Sequence, residues 1–77
     1  MDARELCAFV CDKIEWLDAV EFYADSDKEL YRINAKKTLE KIKNELQDAE
    51  YRVNEWRLHY LKGVCQGAVE MIERMVE

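Results

Sequence analysis

The sequence predicts an all-α protein: an antiparallel helical hairpin with one long second helix and a C-terminal helical segment, closed into a bundle by dimerisation. Three observations predict it. Proline is absent and only two glycines interrupt the chain, so little in its 77 residues stops a helix once begun. Charged residues make up 38% of the chain, and Glu, Lys, Leu, Ala and Arg dominate, the usage of long helices. The apolar residues recur at three- and four-residue steps, the period of a helix with one buried face.

One domain spans residues 1–77. A chain of this length buries only about 60% of the surface it exposes when unfolded, so a lone core is marginal. Disulfides, a metal, oligomerisation or very regular helix packing supplement such cores, and the composition points to the last two.

The first helix is expected over residues 2–24. Ala3, Leu6, Val10, Leu17, Val20 and Ala24 form its apolar stripe, with Phe9, Trp16 and Tyr23 seven apart along one edge. A stripe this wide suits a core-facing bundle helix. Lys13 interrupts it, and its stem can snorkel outward. A turn follows at residues 25–26, where Ser26 and Glu29 match a capping box and Asp27 and Glu29 favour a helix N-terminus through the dipole. So short a turn makes the two helices an antiparallel hairpin.

The long helix is expected over residues 27–62. Leu39, Ile42, Leu46, Ala49, Val53, Trp56 and Tyr60 step by threes and fours, a heptad seam suited to knobs-into-holes packing. At 1.5 Å per residue it reaches about 54 Å. Lys62 and Gly63 signal its end, and residues 64–77, with Val64, Ala68, Met71, Ile72, Met75 and Val76, form a further helical segment. Gly63 and Gly67 continue the seam, four residues apart, where another helix could approach closely.

The two arms differ in length. The hairpin register sets Leu6 beside roughly residue 47 and Asp18 near Ala35, so the first helix covers the second only to about Tyr51. Val53, Trp56, Tyr60 and Leu61 then need another cover. A fold-back of residues 68–77 supplies limited area, and a symmetric homodimer is the commonest alternative.

Charge is unevenly placed. Residues 1–27 carry eight acids against Arg4 and Lys13, and residues 28–43 carry six bases against Glu29 and Glu40. Complementarity of this kind fixes the pairing of the two helices. A nucleic-acid patch wants a basic domain, and a net charge of −5 argues against one. Cys7, Cys11 and Cys65 are too few for a disulfide framework and fit free thiols in a reducing compartment, so cytoplasm is expected. Leu6–Val10 is too short and too acidic at its flank for a signal sequence, and no run approaches the roughly 20 apolar residues of a membrane span.

Candidate chemistry is sparse. Cys7 and Cys11 share a helical face, but zinc wants four ligands, and Cys65 and His59 point to different sides of their helix. His59, four residues after Glu55, reads as a surface or interface residue. Asp25 to Glu29 opens like a calcium loop, yet Leu30 and Lys36 stand where glycine and a bidentate glutamate are needed. Glu15-x-x-Asp18 and Glu45-x-x-Asp48 faintly resemble the paired acids of all-α nucleotide pyrophosphohydrolases, a resemblance that implies a magnesium-dependent hydrolase. The hairpin register keeps those two pairs apart. Ser26 has no nearby base, and no glycine-rich phosphate loop exists. No catalytic, metal or cofactor site is therefore expected.

The strongest functional signal is aromatic. Tyr51, Arg52, Val53, Trp56, Arg57, Tyr60 and Leu61 concentrate the residue types that anchor interfaces. The expected function is a non-catalytic protein–protein interaction module, a small helical adaptor, regulator or inhibitor that docks through a helix face. The alternatives are a purely structural coiled-coil oligomerisation module and a metal-dependent hydrolase using paired carboxylates.

Overall fold

A computed structural model describes residues 1–20 and 26–76, without the side chains of Ser26 and Val76. The described residues form three helices, α1 (Ala3–Ala19), α2 (Ser26–Asp48) and α3 (Glu55–Val76).

Helix α1 starts on a reciprocal cap. Asp2 Oδ1 accepts from the Glu5 amide at 2.9 Å, and Glu5 Oε1 accepts from the Asp2 amide at 3.2 Å, which satisfies two free amides at once. The helix ends earlier than the expected residue 24. Val20 turns extended (ψ 129°) while its amide still donates to the Trp16 carbonyl at 3.0 Å. Tyr23, Ala24 and residue 25 of the expected turn lie outside the described residues. Ser26 is already helical, and the Glu29 carboxylate accepts from the Arg32 guanidinium three residues on.

The hairpin register matches the one predicted. Lys36 donates to Asp18 at 2.7 Å, Arg32 to the Leu17 carbonyl at 3.2 Å, and Arg4 stacks 4.6 Å from the Tyr51 ring. The acidic arm and the basic stretch do pair here, through Asp18.

The expected long helix is two helices. α2 stops at Asp48 and the chain reverses over residues 49–54. The Tyr51 amide donates to the Leu46 carbonyl at 2.8 Å and the Glu50 amide to the Gln47 carbonyl at 3.0 Å, the two bonds of a Schellman ending. Its left-handed residue is Glu50 (φ 52°), followed by a second in Tyr51 (φ 63°). Such endings usually carry glycine, which hid this one from the sequence. Asn54 then caps α3, its Oδ1 accepting from the Arg57 amide at 2.7 Å. The expected break at Gly63 does not occur: α3 runs through Gly63 and Gly67, neither of which has positive φ.

This hinge changes what covers what. Helix α3 returns antiparallel along α2 and supplies Leu61, Cys65, Val69 and Ile72 to the core. They meet Leu6, Cys7, Val10 and Leu17 of α1 and Ala35, Leu39, Ile42 and Leu46 of α2. Leu6, Leu17, Leu39, Leu46, Cys65 and Ile72 are each at most 1% exposed. Of the apolar residues expected to need a second chain, Leu61 is buried and Val53 partly buried in the chain's own core, whereas Trp56 and Tyr60 stay exposed. A 22-residue arm matches the 23-residue α2, which a ten-residue fold-back could not.

Candidate docking surface

The single heptad seam read across Leu39 to Tyr60 divides at the hinge. Leu39, Ile42 and Leu46 point into the core, whereas Trp56 and Tyr60 point away from it, 78% and 48% exposed. Six non-helical residues between them reset the phase, so α3 buries Leu61 and Cys65 instead, with Leu58 partly buried beside them. Of the seven residues expected at an interface, Leu61 lies in the chain's own core and Val53 and Tyr51 pack partly buried against it. Arg52, Trp56, Arg57 and Tyr60 are exposed.

Three of those four form one patch on the first turns of α3. Arg57 Nη2 and Nε donate to the two carboxylate oxygens of Glu45 at 2.6 and 2.7 Å, which ties α3 to α2 in a bidentate pair. The guanidinium also lies 4.9 Å from the centre of the Tyr60 ring. Arg57 therefore holds Tyr60 and does not hang free in solvent. That hydrogen bond keeps the Glu45 carboxyl below its ordinary value and raises the guanidinium's own. Beside the patch runs a shallow groove of about 210 Å³ between α2 and α3, floored by Ile42, Leu61 and Val64 and edged by Lys41, Glu45 and Tyr60.

Two further surface features escaped the sequence reading. Met71 joins Trp56 and Tyr60 on the outward side of α3, 37% exposed. Leu30, Tyr31 and Ile33 stand exposed on α2, where the helical period alone did not separate them from core positions. On the opposite side, α1 and α3 enclose a groove of about 280 Å³ lined by Met1, Leu6, Phe9, Lys62, Cys65 and Gln66. Lys13 bridges that seam, 3.8 Å from Glu73 and over the rings of Phe9 and Trp16 at 5.5 and 5.2 Å.

The other candidates are dispersed. Among the described residues no three His, Cys, Asp or Glu side chains come together in a way that could hold a metal ion. Asp18 faces Lys36 and Arg32, and Glu45 faces Arg57, so the two carboxylate pairs of the faint hydrolase pattern each meet cations and not each other. The three thiols are free, Cys7 and Cys65 buried and Cys11 half-buried. Burial pushes the thiols of Cys65 and Cys11 up, and neighbouring Cys7 adds to the effect on Cys11. Among the described residues no helix is long and apolar enough to cross a membrane. Comparison with protein-family models, with curated proteins and with solved structures gave no match to this chain.

Proposed function

We propose that this chain is a non-catalytic protein–protein interaction module, an adaptor, regulator or inhibitor, that docks onto another protein through the outward face of α3. The observation that carries the reading is Trp56, a large aromatic 78% exposed on a rigid helix with Tyr60 beside it. Burying an indole on a partner gains far more than leaving it in water, and interfaces concentrate their binding energy in Trp, Tyr and Arg. Arg57 supports the patch by fixing Tyr60, so little side-chain freedom is lost on docking. A cytoplasmic setting accords with three free thiols. Nucleic acid is a poor partner: Arg32 and Lys36 of the basic stretch already face acids.

The test is a comparison of partners recovered by the wild-type chain with those recovered by a Trp56→Ala, Tyr60→Ala variant in cells of its own source. Recovery of the same proteins by both would refute the reading. The second reading is a structural self-association module, a homodimer. The outward stripe supports it, since Trp56, Tyr60 and Met71 stay exposed along α3.

A further inference from the structure

At 3.6 residues per turn, Trp56, Tyr60, Gly63, Gly67, Met71 and Arg74 fall within an arc of about 80° on α3, opposite the buried Leu61, Cys65 and Ile72. Along one edge of this arc stand Glu70 and His59, with Glu55 about 80° beyond the edge, all exposed. Among the described residues neither these three nor Arg74 forms an ion pair.

We propose that the occupant of this face is a second copy of the chain, its α3 laid antiparallel against the first about a two-fold axis level with Cys65. The inference takes up the self-association reading of this face, rests on the face being a docking surface, and adds the direction and register of the pair. Charge decides the occupant and its direction. A parallel pair would set Arg74 against the partner's Arg74 and Glu70 against the partner's Glu70, like against like. The antiparallel pair sets Arg74 beside the partner's Glu55 and over the partner's Trp56, an ion pair and a cation–π contact. It sets Glu70 beside the partner's His59 and Tyr60, an acceptor against donors. Each contact occurs twice, because the interface is isologous.

At the axis Gly63 meets the partner's Gly67. A Cβ built on either glycine finds no atom within 4 Å, so the space above them is open to a neighbouring backbone. The two Trp56 and two Tyr60 rings bring on the order of 500 Å² of exposed aromatic surface. That is about half of what a small specific interface buries, so association is weak, in the micromolar range.

Light scattering across about 1 µM to about 1 mM protein reads this out directly. The expected mass rises with concentration from 9.2 kDa toward twice that value. Trp56→Ala and Gly67→Gln each weaken association at least about tenfold, with circular dichroism unchanged because both positions face solvent. Glu55→Arg and Arg74→Glu alone each weaken it several-fold, and the double swap restores it to within about threefold. A mass of 9.2 kDa at every concentration overturns the second copy and leaves the face available to a different protein. A dimer indifferent to Trp56→Ala and Gly67→Gln pairs through another face and overturns this inference, while the docking reading of the α3 face still stands or falls on the comparison of recovered partners. A dimer that the double swap fails to restore overturns the antiparallel register.

Discussion

Arg57 grips Glu45 with two hydrogen bonds of 2.6 and 2.7 Å, and this pair spans the hinge that turns one expected helix into two. It joins the second turn from the end of α2 to the first turn of α3, next to the Asn54 cap. Both side chains are partly exposed, so the pair steers the hinge more than it stabilises the fold. Glu45→Gln is expected to lower the melting temperature by no more than a few degrees and to increase the mobility of Tyr60, which NMR relaxation of its ring would register.

Acid weakens the bundle. Hydrogen bonds hold the carboxyls of Glu45, Glu29 and Asp2 below their ordinary values of 4.5, 4.5 and 3.8, the donors being Arg57, Arg32 and the Glu5 amide. A carboxyl lowered by folding stabilises the fold fully above its unfolded value, and that contribution disappears as pH falls through the folded value. The melting temperature should stay level down to about pH 5 and then fall. In Glu45→Gln the decline should be shallower; an unchanged acid limb would remove Glu45 from the cause.

The hinge stores backbone strain at Glu50. A left-handed residue other than glycine costs on the order of 1 kcal/mol, and Glu50 is exposed with no side-chain contact to lose. Glu50→Gly is expected to stabilise the protein by about 0.5–1 kcal/mol in a urea melt. The same change at Tyr51 is expected to destabilise it, because Tyr51 packs against the core and under Arg4. Asn54→Ala, which removes the cap, should cost about 1 kcal/mol.

Gly63 and Gly67 give opposite readings of stability and docking. Neither requires glycine for its backbone or for space within the chain. Gly63→Ala and Gly67→Ala should each stabilise α3, by up to about 1 kcal/mol. A loss of stability instead would mean that these positions pack against something inside the fold.

The thiols report on core integrity. Cys7 and Cys65 are buried, and burial raises the Cys65 and Cys11 thiols. A thiol reagent near pH 8 is expected to modify Cys11 first and slowly, and all three residues at once only in denaturant. Rapid native labelling of Cys65 would show that α3 separates from the other two helices.

Much of the fold was legible from residues with a clear period. The α1 stripe, its start at Asp2 and the α1–α2 register followed from apolar spacing and helix rise alone, as the Asp18–Lys36 pair shows. The hinge did not. Glu50 and Tyr51 take a conformation that their side chains disfavour, and no glycine or proline marks the place. The one local signal was Asn54 three residues before Arg57, a cap obscured by the heptad that runs across it. Gly63, the conspicuous helix breaker, sits inside a helix because the core contacts of Leu61 and Cys65 outweigh its weak propensity.

The same hinge sorted the candidate surface. Trp56 and Arg57 were visible as anchor types, but which way they faced depended on a phase that six loop residues reset. Leu61, one residue beyond Tyr60, went to the core for that reason.

Acrylamide quenching of Trp56 fluorescence, in a Trp16→Phe variant that leaves one indole, tests most directly whether α3's outward face is a free docking surface. At submicromolar concentration Trp56 should be quenched as freely as an indole in water, and it should become protected as the protein is concentrated. Protection that is already complete in a dilute sample whose mass is 9.2 kDa would place Trp56 inside the fold and contradict the docking face.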